Sequence, residues 1–223
     1  MNRLKIYLIL IAMAFVALAG CKDKGTDPQS NETSTLTYNG YTYKTVKIGN
    51  QWWLAENLRT TRYNNRTNIP NVTAFSEWEN LTTGAYCVYY DDNQYAEKYG
   101  YLYNYYAVET GKLAPEGWRI PTTKDWEELI AFCGGEDLAG EKLKSKTGWD
   151  NGNGSDAYGF CAYPAGFRRL NVLLDGFIDE GHTAYWWAGE TTKYFRIRGE
   201  YPRIYTASFS THKIGSAVRL VKE

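Results

Sequence analysis

Pro121-Thr122-Thr123-Lys124-Asp125-Trp126-Glu127-Glu128-Leu129-Ile130-Ala131-Phe132-Cys133-Gly134-Gly135 carries the start, the apolar face and the stop of one helix. A threonine hydroxyl at position 122 can accept from the first free amides. Asp125, three residues later, can answer it, and acids crowd the first turn where the helix dipole favours them. Trp126, Leu129, Ile130 and Cys133 share one face, and the glycine pair at 134 and 135 ends the run. Outward from this helix the pattern changes. Thr42 to Ile48 alternates and ends at Gly49-Asn50, a two-residue hairpin turn that makes Gln51 to Ala55 the return strand. Ala85 to Tyr90 is a further β-rich run, closed by Asp91-Asp92-Asn93, and Leu102 to Glu109 reads as a short helix ended by Gly111. Downstream, Leu138 to Lys146 adds one more helix. Glycine- and asparagine-rich loops then separate short strands at 160–163, 184–187, 194–198, 203–209 and 216–221. With no repeat of fixed period, this is an α+β pattern with little regular structure per residue.

The ends of the chain carry different information. Arg3 and Lys5 precede an uncharged apolar run, Ile6 to Ala19, which is short for a membrane span and has the build of a secretory signal over residues 1–20. Leu18-Ala19-Gly20-Cys21 resembles the bacterial lipobox, which implies acylation of the Cys21 thiol and cleavage before it; the alternative is an ordinary signal or an uncleaved anchor with an incidental cysteine. Two or more acyl chains give stable anchoring where one does not, so the expected partner is a membrane, reached through the N-terminal lipid. Lys22 stands where an inner-membrane retention signal would place aspartate, which favours the outer membrane. Lys22-Asp23 is similar to the export tags of surface lipoproteins in Bacteroidetes, and both periplasm-facing and exterior-facing placements stay open. Residues 22–35 contain no aromatic or aliphatic side chain and read as a flexible tether from 21 to 35, leaving 36–223 as the domain.

Lysine plus arginine number 25 against 25 acids; setting aside Arg3 and Lys5 leaves a net charge near −2. No basic block stands out, so nucleic acid is not an expected partner. Tyrosine (20) and tryptophan (8) dominate an aromatic fraction of 16%. Such rings serve either as core or as a binding surface for sugar or protein.

Seven blocks in order resemble the Fibrobacter succinogenes major paralogous (FISUMP) domain. They begin with Asn50-Gln51-Trp52-Trp53-Leu54-Ala55-Glu56-Asn57-Leu58-Arg59, then Ala85-Tyr86-Cys87 with Tyr89-Tyr90-Asp91-Asp92, and Tyr99-Gly100-Tyr101-Leu102-Tyr103-Asn104. Gly117-Trp118-Arg119-Ile120-Pro121-Thr122 with Asp125-Trp126 follows, then Gly159-Phe160 with Pro164-Ala165-Gly166-Phe167-Arg168. Trp186-Trp187 and Val218-Arg219 close the series. That family is similar to the C-type-lectin-like and formylglycine-generating-enzyme fold, which implies here a single compact C-type-lectin-like α+β domain with short antiparallel strands, two main helices and long loops. The resemblance leads one to expect cysteines at positions 114 and 220, where this chain has Ala114 and Leu220. It carries Cys87, Cys133 and Cys161 instead, an odd set. Cys133 and Cys161 are the candidate disulfide, with three buried thiols the equal alternative.

Chemistry is sparse. His182 and His212 are the only histidines, no nucleophile elbow occurs, and no cysteine–histidine spacing suits a metal. Asp91-Asp92-Asn93 and the 150–156 stretch are oxygen-rich turns without calcium-loop spacing. No metal, cofactor or catalytic residue is expected. The expected function is an extracytoplasmic lipid-anchored binding or adhesion module, recognising a glycan or a surface protein through Arg168, Tyr185, Trp186, Trp187 and Arg196. The alternatives are a structural role for those side chains, with the arginines paired to Asp175 or Glu190, and a carboxylate- or metal-dependent hydrolase drawing on Glu56, Asp91, Asp92 or Glu127.

Overall fold

The computed structural model describes residues 31–170 and 176–223; the signal, Cys21 and most of the tether lie outside them. Asn31–Glu223 forms one compact unit. Its first strands follow from alternation and turn chemistry. β1 (Thr33–Tyr38) and β2 (Tyr41–Ile48) pair in register across Asn39-Gly40, both at positive φ as a tight right-twisted hairpin demands. β1 therefore begins inside the stretch expected to be tether. Its isolated composition is polar, and pairing to β2 orders it. Gly49, at φ +59, turns β2 into β3 (Gln51–Leu54), with Val46 opposite Trp53.

The remaining elements are α1 (Phe75–Trp78), β4 (Tyr86–Cys87), α2 (Asn93–Tyr99), β5 (Leu102–Tyr103), α3 (Tyr105–Val108), β6 (Trp118–Arg119), α4 (Thr123–Phe132), α5 (Glu136–Leu143), β7 (Ala165–Arg168), β8 (Phe177–Glu180), β9 (Thr183–Trp187), β10 (Lys193–Arg198), β11 (Ile204–Ser208) and β12 (Val221–Lys222). One five-stranded sheet runs β1-β2-β3-β12-β6, a second runs β11-β10-β9-β7-β8, and β4 pairs β5. All pairings are antiparallel except β7 with β9. Isolated bridges from Tyr103 to Ser216 and from Trp186 to Ala217 join the small pair and the second sheet to the last loop.

The architecture is mixed α+β, and the helix after Pro121 forms as its local signals require. Thr122 accepts from the Asp125 amide and the Asp125 carboxylate accepts from the Thr122 amide, completing a capping box. Other expectations change. The run at 85–90 is a strand for two residues only, because Tyr90 and Asp91 adopt φ of 51° and 56° and bend the chain into a 3-10 turn, Tyr89–Asp91. Residues 160–163 give no strand beyond a bridge from Ala162 to Lys144. Three short helices, α1, α2 and α3, join the two main ones.

Two apolar clusters flank the second sheet. Trp53, Trp126, Phe160, Trp186 and Phe195 belong to one, and Tyr43, Tyr103, Phe167, Tyr185, Trp187 and Tyr194 to the other. Six of the eight tryptophans are buried, so most of the aromatic excess is core.

Candidate functional site

At the open end of the second sheet, β8, β9 and β10 converge on a polar cavity of about 450 Å³. Cross-strand register places Tyr185 of β9 opposite Arg196 of β10, and Thr183 opposite Arg198. A break in regular extension supplies the third wall. Asp179 of β8 sits at φ +65, and its main-chain carbonyl accepts from the His182 amide, which folds the chain back into β9. The Asp179 carboxylate accepts a 2.8 Å hydrogen bond from the Tyr185 hydroxyl. Burial pushes the Tyr185 phenol upward and the Asp179 carboxylate adds to the rise, while the Arg196 guanidinium opposes it. The phenol is therefore a fixed, neutral donor throughout the physiological range.

Arg196 is half-buried, its guanidinium 5.5 Å from the centre of the Tyr205 ring. Its Nε–H is buried and finds no acceptor among the described residues. A buried donor without a partner costs roughly 1–3 kcal/mol, so the fold holds this group in place against a local penalty. The rim is completed by Arg198 with Glu200 (3.6 Å), by His182 with Asp150 (3.6 Å), and by Asn151. Two cations face two carboxylates across the lining, which suits a neutral polar ligand better than an ion.

Of the five side chains expected to bind ligand, only Tyr185 and Arg196 meet at this cavity. Arg168 is fully buried and donates to the Val72 and Thr73 carbonyls at 2.8 and 2.6 Å, its guanidinium over Trp78 and Phe177. Trp186 is buried in the first cluster with its Nε1 on Asn57, and Trp187 in the second with its Nε1 on the Tyr103 carbonyl. Alternation still sends the two rings to opposite faces of β9, but both faces are covered, so neither ring reaches solvent. Glu190, offered as an arginine partner, instead accepts from the Thr123 amide at the start of α4, and Asp175 lies outside the described residues. Asp179 and Arg198 escaped the sequence reading. The Glu180-Gly181 turn before an aromatic strand was the available signal for Asp179.

The remaining candidates do not line this cavity. Glu56 accepts from the Lys44 amide and pairs with Arg59; Asp92 caps α2; His212 stacks on Tyr106 and pairs with Glu109. Glu127 is exposed on α4. Cys133 and Cys161 form no disulfide. Cys87, Cys133 and Cys161 are free thiols, the first two buried in the core and pushed up to about 12 by burial. Cys133 ends α4 inside the first cluster, whereas Cys161 lies half-buried at φ +56 on a second cavity of about 640 Å³. Among the described residues no three His, Cys, Asp or Glu side chains cluster to share an ion, and no helix is long and apolar enough to cross a membrane.

The family model described as the Fibrobacter succinogenes major domain covers residues 46–222. No curated protein and no solved structure matches the chain.

Proposed function

The chain belongs to the Fibrobacter succinogenes major domain family, and from that premise we propose that it is an extracytoplasmic binding module, held to the outer membrane by lipid on Cys21, with the Asp179–Tyr185–Arg196 cavity as its ligand site. The observation that carries this reading is the cavity itself, on which Asp179, Tyr185, Arg196, Arg198 and Glu200 converge with Tyr185 held by Asp179. A neutral polyhydroxylated ligand supplies acceptors for Arg196 and donors for Asp179, the pattern of a glycan. Binding is favoured over catalysis because the carboxylates here are engaged, Asp179 by the Tyr185 hydroxyl and Glu200 by Arg198. The lipobox at 18–21 supports the anchor, and the Arg119-Ile120-Pro121-Thr122 to Trp126-Glu127 run, which is similar to the arginine-leucine-proline-threonine to tryptophan-glutamate run of formylglycine-generating enzymes, supports kinship with the C-type-lectin-like fold.

The test is a glycan array run with the full-length protein in a zwitterionic detergent, in parallel with a pull-down from cell envelopes. Arg196→Ala and Asp179→Asn are each expected to weaken glycan binding at least about tenfold, the loss of one well-made polar contact to a charged group. Retention of full affinity by both variants would reject the cavity as the site. A blank array with a captured envelope protein would transfer the site to a protein partner. Fatty-acid labelling that is lost in Cys21→Ser tests the anchor.

A further inference from the structure

Beside the cavity, the same strand end supports a second surface. Tyr90 is 47% exposed, the ring held out on a left-handed backbone (φ 51°, ψ 18°) with Asp91 left-handed after it. Left-handed conformation is unfavourable for a non-glycine residue, and here two in succession adopt it. Three rings brace Tyr90, namely Tyr89 at 4.7 Å, Phe177 at 5.6 Å and Tyr95 at 5.8 Å between centroids. All three contacts are near-perpendicular, at 78°, 68° and 82°, so among the described residues no ring lies parallel on Tyr90 in the manner of a stacked ligand. Tyr95, half-buried and stacked on Tyr99 at 5.8 Å, forms the adjoining wall of an aromatic corner.

The corner is tied to the cavity through two consecutive residues of β8. Glu180 accepts a 2.5 Å hydrogen bond from the Tyr99 hydroxyl, and its amide donates to the Tyr89 hydroxyl at 3.3 Å. Asp179, immediately before it, holds Tyr185 on the cavity side. The strand end therefore has rigid aromatic faces on one side and a polar pocket on the other.

Building on the binding reading above, we propose that the ligand is a chain of neutral hexopyranose units with equatorial substituents, one unit held in the Asp179–Arg196 cavity and a unit further along the chain stacked on the exposed face of Tyr90, with Tyr95 standing edge-on beside it. Such a sugar has apolar C–H faces and a rim of hydroxyls, which match an exposed phenol ring and the polar groups around it. The other common flat ligand, a nucleotide, brings phosphate charge toward Asp92 and Glu180, where like charges repel it. An acidic sugar meets the same carboxylates. A single sugar unit fills one of the two surfaces; only a chain engages both, and the second contact then forms at the high effective concentration set by the first.

The experiment is calorimetric titration of the full-length protein, in a sugar-free zwitterionic detergent, with β-1,4-linked glucose oligomers of up to about six units. Affinity is expected to rise with length and then level off. Tyr90→Ala should lower affinity for the longest oligomer about tenfold while leaving the dimer within about twofold, and Tyr90→Phe should retain the full affinity. Asp179→Asn should weaken every length. Equal thermal midpoints for the Tyr90 variants exclude a folding defect. Affinity independent of length, or a silent Tyr90→Ala, overturns the proposal and leaves the cavity reading standing. No binding of any oligomer, with other glycans bound on the array, also overturns it; a blank array and a blank pull-down would remove the cavity reading as well.

Discussion

Arg219 shows how much of this fold rests on single buried polar side chains. It is 1% exposed, and its donors reach only neutral oxygens: Asn57 Oδ1 from both Nε and Nη2 (3.0 and 2.9 Å), the Leu54 carbonyl at 3.1 Å, and the Phe160 carbonyl. The guanidinium also lies 4.3 Å from the Phe160 ring. Asn57 in turn accepts from Trp186 and donates to the Tyr99 carbonyl, so one amide gathers three distant segments. Burial lowers the Arg219 pKa to about 10, which leaves it charged at neutral pH. Lysine keeps the charge but not the fork. Arg219→Lys should therefore strand several buried carbonyls and destabilise the domain by about 2–4 kcal/mol, read as a fall in the urea midpoint with unchanged slope. A midpoint within error of the parent would mean that the network is dispensable.

At the scale of elements, α4 was fully legible because its cap, apolar face and glycine stop lie within fifteen residues of one another. The Asp125 carboxylate makes that start quantitative. Burial alone would raise its pKa, but hydrogen bonds from Arg119 and Thr122 outweigh this and hold it below the usual range. A depressed folded pKa contributes stability that is complete above the unfolded value, near 4, and is lost as pH falls through the folded one. Asp125→Asn should cost about 1–2 kcal/mol at pH 7, and the gap from the parent should narrow below about pH 4. A pH-independent gap would show that the loss is steric. The site was half legible by the same logic. Side-chain chemistry singled out Tyr185 and Arg196, which the strand register then sets opposite each other, but no local signal tells that both faces of β9 are covered, and so Trp186, Trp187 and Arg168 were assigned to a surface they do not reach. α2 was missed because its seven residues lack a strong apolar period and depend on the Asp92 cap and the tyrosine stack.

For the whole molecule, the decisive contacts join residues far apart in sequence. β12 is two residues long, Val221–Lys222, and overlaps the expected 216–221 strand only at Val221. Partners more than a hundred residues away define it, since Val221 pairs with both Trp53 of β3 and Arg119 of β6, and the Leu220 carbonyl accepts from the Leu54 amide. Leu220 and Val221 are both buried. The C-terminal strand thus closes the first sheet from its interior, whereas β1 lies at the edge and buries only Tyr38 fully. These positions predict unequal consequences for trimming the two ends of a chain that starts at Asn31. Ending it at Arg219 removes two buried aliphatic side chains, each contributing about 1.5–3 kcal/mol, and opens the sheet between β3 and β6. Since a domain has only about 5–15 kcal/mol in total, that truncation should abolish cooperative melting or lower the midpoint by well over about 10 °C. Starting the chain at Asn39 removes an edge strand alone and should leave a cooperative transition at a modestly lower temperature. Calorimetry of the two truncations side by side checks the ordering, and a C-terminal truncation that melts as sharply and as high as the N-terminal one would show that the first sheet closes without β12.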